Sequence, residues 1–365
     1  MNRLCFIIAV FGVLCLTSCH ELKGEHCFIF QTEFVDDIKA CQTLTPNFVC
    51  HALEGQLSLN IYDSLYISFN RNKDNLCSIY NINDNFKLID EFCPQGRAFE
   101  EIISLGGVND IWLCDNSLLM PLYALAESKL LILDLNESIA QHRTIYSTVT
   151  RLSPAGRKPI YNCYMLGHDH ILAYNSNQNP VVNEMLEPPV FEVYDIHTGD
   201  LIRTIDVFNK IDGYNDPYYN GQSFVSNFTC IKPDRTRMVF AMYYHPQFNI
   251  LNIETGETMG FALKGRKAFS TKHPTGHFIS VCADDESIYA LYLEKTMHDS
   301  VLPPVSLYII DWQGQIKAHF NLAQFYNLIG VDGDKLYFAS RMTDELYICS
   351  IESIKKGESL FLSED

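Results

Sequence analysis

Three side chains with metal-ligand chemistry stand in a row at His168-Asp169-His170. Imidazole and carboxylate together suit a divalent transition metal. Neighbouring side chains of an extended strand point to opposite faces, however, so this triplet does not converge on one ion, and a polar turn accounts for it. His273 and His277 flank Pro274-Thr275-Gly276, a stretch whose Pro and Gly mark a loop rather than a ligand pair. His245 and His298 lie apart from these and from each other. The chain has no Gly-x-Ser-x-Gly elbow, no His-Glu-x-x-His pair and no phosphate-cradling glycine loop. The sequence therefore implies no cofactor, no metal and no catalytic set. Asp216-Pro217-Tyr218-Tyr219-Asn220-Gly221 places two adjacent tyrosines among turn residues. A sugar or peptide contact would use such a pair, and so would a loop folded back on a strand edge.

The elements that would position a site repeat along the chain. An apolar-Asp/Asn-apolar core recurs as "IYNI" at 79–82, "ILDL" at 132–135, "VYDI" at 193–196, "ILNI" at 250–253, "IIDW" at 309–312 and, with Ser, "ICSI" at 348–351. Before each copy comes a second apolar run, such as "SLYISF" at 64–69 or "RMVFAM" at 237–242, and before that a tight turn and a further run. The turns, among them "YDS", "CDNS", "GHDH" and "DGDK", carry the Asp, Asn and Gly of β-hairpins. A fourth run follows most copies, as in "LIRTID" at 201–206 and "TMGFAL" at 258–263. Helical periodicity is almost absent. The reading is all-β: a six-bladed β-propeller of four-stranded antiparallel blades. "SNQNPVVNEMLEPPV" and "LEKTMHDSVLPPVS" are then loops inserted between the second and third strands of two blades. The last blade lacks a clear fourth strand. Either "ESLFL" at 358–362 or an N-terminal strand such as "CFIFQTEF" at 27–34 must supply it, and the N-terminal one is favoured because a ring closed by both chain ends frays less.

Aligning the blades exposes a candidate site that local motifs do not. The innermost strand of each blade lines the central channel, and the residue entering it sits at the channel mouth. Asn109, Asn162, Asn227, His277 and Asn327 occupy that place in five blades. Asn offers donors and an acceptor, which suits a neutral polar ligand such as a sugar or a peptide backbone. The competing account is that Asn favours turns ahead of strands.

The chain opens with one Arg and thirteen uncharged, mostly apolar residues, Leu4 to Leu16, too few for the ~20 of a membrane-spanning helix. Leu16-Thr17-Ser18-Cys19 then resembles the lipobox of bacterial lipoproteins. That resemblance implies cleavage before Cys19 and acyl chains on its sulfur and amino group, a stable membrane anchor. The domain plan is a signal peptide at 1–18, a lipidated tether with a blade-closing strand at 19–50, and the propeller at 51–365. Losing 1–18 removes Arg3 and takes the net charge from −17 to −18, which argues against nucleic acid as a partner. Ten Cys follow Cys19, none in a Cys-x-x-Cys pair and most inside apolar runs, where a small buried hydrophobe is the default; one or two disulfides stay open.

"IYDSLYISFN" at 61–70, "CSIYNI" at 77–82 and "FCPQGRAFEEI" at 92–102 resemble the opening of TolB-like six-bladed β-propeller lipoproteins. In that family the first blade runs into a Gly-Arg-Gly-Pro-x-Glu-type turn. Gly96, Arg97 and Glu101 match it, while Ala98 and Phe99 replace Gly-Pro. The resemblance implies the fold and an envelope location, with no activity attached. The expectation is a monomeric, lipid-anchored envelope propeller that binds a peptide, protein or glycan. Its rivals are a metal-dependent hydrolase or lyase with its site at the channel mouth, and a structural part of an envelope complex.

Overall fold

The computed structural model describes residues 24–51, 58–70, 72–152, 160–175, 188–210, 224–270, 273–296 and 304–356. Six antiparallel sheets follow one another along the chain. Three N-terminal strands, β1 (Thr32–Val35), β2 (Thr43–Leu44) and β3 (Asn47–His51), precede the blades. Blade one is β4 (Asn60–Tyr62), β5 (Leu65–Phe69), β6 (Asn75–Asn81) and β7 (Lys87–Pro94). Blade two is β8 (Trp112–Cys114), β9 (Ser117–Ala124), β10 (Lys129–Asp134) and β11 (Tyr146–Arg151). Blade three is β12 (Ile160–Met165), β13 (His170–Asn175), β14 (Val190–Asp195) and β15 (Leu201–Asp206). Blade four is β16 (Asn227–Ile231), β17 (Arg237–Met242), β18 (Gln247–Asn252) and β19 (Thr258–Leu263). Blade five is β20 (Thr275–Ala283), β21 (Ser287–Thr296), β22 (Ser306–Asp311) and β23 (Ile316–Leu322). Blade six is β24 (Leu328–Asp332), β25 (Lys335–Ser340), β26 (Glu345–Ser350) and, returning from the N-terminal side, β3. The chain is a six-bladed β-propeller with four-stranded antiparallel blades.

The repeated Asp/Asn is a turn device at the end of each third strand. Asp195 Oδ1 accepts from the backbone N–H of His197 and Thr198, and Asn252 Oδ1 from Glu254 and Thr255. Gly199 and Gly256 then take the left-handed conformation that completes the turn. In blade two the same position, Asp134, instead caps a helix, α1 (Leu135–Gln141), by accepting from Glu137 N–H.

The core is divided among the blade interfaces. Leu118, Met120 and Leu133 pack against Ile67, Phe69 and Phe92 between blades one and two. Phe240 and Met242 meet Tyr174 and Phe191 between blades three and four, and equivalent clusters fill the other interfaces. Each such fully buried side chain contributes about 1.5–3 kcal/mol, so the ring is held by its joints.

The N-terminal segment runs round the outer rim. β1 adds a fifth strand parallel to β19, β2 pairs in parallel with β23, and β3 pairs antiparallel with β26. The strand that completes blade six is therefore Asn47–His51, and the segment 27–34 lies on blade four instead, with Cys27 and Phe28 buried against Phe208. Pairing rather than apolarity decides this: Phe34 is exposed although it sits in the more hydrophobic stretch. At the other end, a short helix, α2 (Ile351–Lys356), follows β26, and 358–362 lies outside the described residues. All ten cysteines from Cys27 to Cys349 are free thiols.

Candidate functional site

The channel mouth is built from the starts of the inner strands. Asn162, in β12, is buried, and its Nδ2 donates to Thr229 Oγ1 on β16 at 3.0 Å. Tyr164, two residues on and on the same face, bonds through its hydroxyl to Thr229 O at 3.1 Å and Oγ1 at 2.5 Å, with the Asn109 side chain beside it. Burial pushes that phenol well above its ordinary range. From blade two, Gly107 donates to Tyr161 O, and a Cβ on Gly107 would fall 1.8 Å from Asn162 Oδ1. Only glycine lets the inner strands of blades two and three approach this closely. Asn109, Asn162 and Thr229 thus gather across blades two, three and four.

Asn227 begins β16, and its Nδ2 donates to Tyr174 Oη at 2.7 Å and Val225 O at 2.9 Å. His277 is fully buried in β20, where Nδ1 meets Tyr292 Oη at 3.0 Å. Burial lowers its pKa to about 3. Asn327 has a different place: its Oδ1 accepts Arg341 N–H within blade six, tying the start of β24 to the residue after β25. Four of the five positions therefore line up along the joints of blades two to five, and the fifth serves its own blade.

From His277 a polar row runs outward across the face that blade five turns toward blade four. Tyr292 stands on β21, Tyr308 on β22 and His319 on β23, with successive ring centroids 5.6, 5.4 and 4.2 Å apart. Arg266 lies over Tyr292 at 5.2 Å, donates to Tyr308 Oη at 2.7 Å and pairs with Asp37 at 2.6 Å. Tyr308 Oη donates to Asp37 at 2.9 Å, and His319 Nδ1 meets Ile38 O at 2.6 Å. Sequence reading missed this row because its aromatics look like ordinary strand packing. Each strand of blade five carries one of the four; Tyr308 and His319 are direct register partners, whereas Tyr292 is paired with Ser306, so register alone does not mark the row.

Beside Asn109, at the entry to the inner strand of blade two, Asp110 forms an ion pair at 2.5 Å with Arg235, which reaches in from the β16–β17 turn. Asp110 also accepts Met165 N–H, and Arg235 donates to Ile111 O while lying over Trp112 at 5.9 Å. The pair joins blades two and four across the inner strand of blade three. Arg235 takes a left-handed φ of 63° in the turn "PDRTR", which aims a turn residue inward; nothing in the sequence signals that.

The triplet at 168–170 does not converge, as alternation requires. His168 meets Cys114 and Asp115 of the neighbouring hairpin, Asp169 pairs with His197, and His170 starts β13. His245 is buried between Phe28 and Phe269 and bonds Phe224 O, with its pKa lowered to about 3 by burial. His273 is exposed. The turn at Gly96–Glu101 is structural: Glu101 accepts Ala98 N–H, and the buried Lys129 donates to the carbonyls of Phe99 and Glu101. Cys19, Tyr218, Tyr219 and His298 lie outside the described residues. Among the described residues no helix is long and apolar enough to cross a membrane.

No family model and no curated protein matches the chain. Solved structures do. A member of the DUF4221 family from Bacteroides vulgatus is similar, with a TM-score of 0.57 at 13% identity over 86% of this chain and 97% of that one. Hydrazine synthase from Kuenenia stuttgartiensis is similar with a TM-score of 0.50 at 11% identity, over 85% of this chain and 80% of that one. At these identities the likeness is one of fold. Of the resemblance to TolB-like lipoproteins, the comparisons support the six-bladed propeller itself.

Proposed function

We propose that this chain is a lipid-anchored envelope propeller that binds a peptide, protein or glycan segment at the channel mouth. The observation that carries the reading is a set of unpaired polar atoms. Asn162 Oδ1, Asn227 Oδ1 and His277 Nε2 are buried and have no hydrogen-bond partner among the described residues. Their character can be worked out. Tyr292 donates its hydroxyl proton to Glu294, so it accepts from His277 Nδ1–H, which leaves Nε2 as a lone-pair acceptor. Three acceptors on blades three, four and five favour a ligand rich in donors, such as backbone amides or sugar hydroxyls. Each unmet acceptor costs about 1–3 kcal/mol, which a matching ligand recovers. The envelope location rests on Leu16-Thr17-Ser18-Cys19 and on the resemblance of the first blade to TolB-like lipoproteins.

Peptide and glycan arrays probed with the purified chain provide the test. Asn162→Ala combined with Asn227→Ala should weaken the ligand found by about 1–3 kcal/mol. Asp285→Ala, an exposed change on the hairpin at the other face, should leave binding as it was. Loss of binding with Asp285→Ala, and none with the mouth pair, would place the ligand on the wrong face for this reading.

A further inference from the structure

The β8–β9 and β12–β13 hairpins meet on the face away from the mouth. Cys114 ends β8 with its side chain buried, and Asp115 and Asn116 form a two-residue turn with φ of 46° and 69°, the primed geometry a tight hairpin needs. From blade three, His168 follows Gly167, whose φ is 85°. Cys114 Sγ lies 3.0 Å from His168 Nε2, and that nitrogen lies 3.4 Å from Asp115 Oδ2. All three donor atoms fall within 4.8 Å of one another. We propose that Cys114, Asp115 and His168 bind a divalent transition metal, zinc foremost, and so clasp blades two and three.

The donor set and its spacing both fit. Zinc binds sulfur at about 2.3 Å, imidazole nitrogen at about 2.0–2.1 Å and carboxylate oxygen at about 2.0–2.2 Å, so tetrahedral donors stand about 3.4–3.6 Å apart. The nitrogen–oxygen spacing already meets this. Cys114 Sγ also lies 3.4 Å from Nδ1 and so sits over the ring; to bind, the imidazole, 60% exposed, must turn to aim Nε2 at the ion, and the sulfur–nitrogen spacing must open by about half an ångström. One thiolate and one carboxylate neutralise the two positive charges, and the neutral imidazole adds none. On binding, the Cys114 S–H bond breaks, its proton goes to solvent and a metal–sulfur bond forms, with no change of oxidation state. Burial and Asp115 hold the free thiol's pKa up, so binding should be marked by proton release and should weaken in acid. Asp115 is 86% exposed, which leaves the fourth position to water. The Trp112 ring meets the His168 ring edge to face, with centroids 5.5 Å apart. The sequence hid the set, because Cys114-Asp115 and His168 lie in different blades.

Cobalt titration of the detergent-solubilised intact chain tests this, since a cobalt–thiolate bond absorbs in the near ultraviolet. One equivalent should produce that absorption and release one proton, and zinc should displace it. Cys114→Ser should abolish the band, and His168→Ala, an exposed change that leaves folding intact, should weaken cobalt at least about tenfold. Cys41→Ser removes an exposed thiol on the rim of blade five and should change nothing. A wild-type chain without the band overturns the site. So does a band that survives Cys114→Ser, disappears with Cys41→Ser, or titrates unchanged in His168→Ala.

Discussion

At the scale of the residue, the consequences lie in groups that burial has forced into one state. His245 and His277 each have a folded pKa near 3 against an ordinary value of 6.5. Between those two values the unfolded chain holds protons that the folded chain does not. Stability is therefore full above pH 6.5 and falls as the pH drops toward 3, by about 1.4 kcal/mol per pH unit for each histidine. Urea midpoints measured from pH 7 to 4 should show this slope, and His277→Gln should remove its share; an unchanged slope would mean that His277 is solvated. The Asp110–Arg235 pair gives a second expectation. Asp110→Asn leaves a buried guanidinium unmatched and should cost about 3–5 kcal/mol, whereas replacing both partners with apolar residues of similar size should cost much less. A double variant as unstable as the single one would show that the pair's other bonds, to Met165 N–H and Ile111 O, matter more than its charge.

At the scale of the element, the blades were legible because each carries its own turn chemistry: Asp195 and Asn252 announce the ends of third strands, and β-hairpin turns such as Asp63-Ser64 announce the second. What was not legible is what non-local pairing decides. Nothing in "FVCH" at 48–51 marks it above "CFIFQTEF" as the strand that closes the ring, because β26 selects it by register and not by hydrophobicity. Of the five aligned positions, Asn162, Asn227 and His277 each keep a buried polar atom without a partner among the described residues, while Asn327 is held by its own blade; the alignment could not separate them, since Asn serves both purposes. The two rim strands separate in a deletion series. Removing 24–40 takes away β1 and the Asp37 contact with Arg266, and should lower the unfolding midpoint. Removing residues through 51 also strips β3 from β26, opens blade six and should lower it much further. Equal midpoints for the two deletions would show that β3 does not close the ring.

At the scale of the whole molecule, the anchor proposed at Cys19 would be close to the body in space yet independent of it in energy. Packing begins by Cys27, which is fully buried between blades three and four. Only residues 20–23 separate Cys19 from the first described residue, and at ~3.6 Å per residue they reach less than about 20 Å. A lipid on Cys19 would therefore hold the rim of the propeller near the membrane surface rather than let it range on a long linker. From Cys19 on, the chain carries a net charge of −18, which anionic headgroups repel, so electrostatics would not substitute for acyl chains on Cys19. Cys19→Ala should accordingly move the protein wholly to the soluble fraction, at low salt as well as high, while its unfolding midpoint stays where it was, because the interface cores and the β3–β26 closure are built by residues from Cys27 onward. A variant still sedimenting with membranes would mean that something other than a lipid on this residue holds the chain there; a lowered midpoint would mean that the segment before Gly24 contributes to the fold.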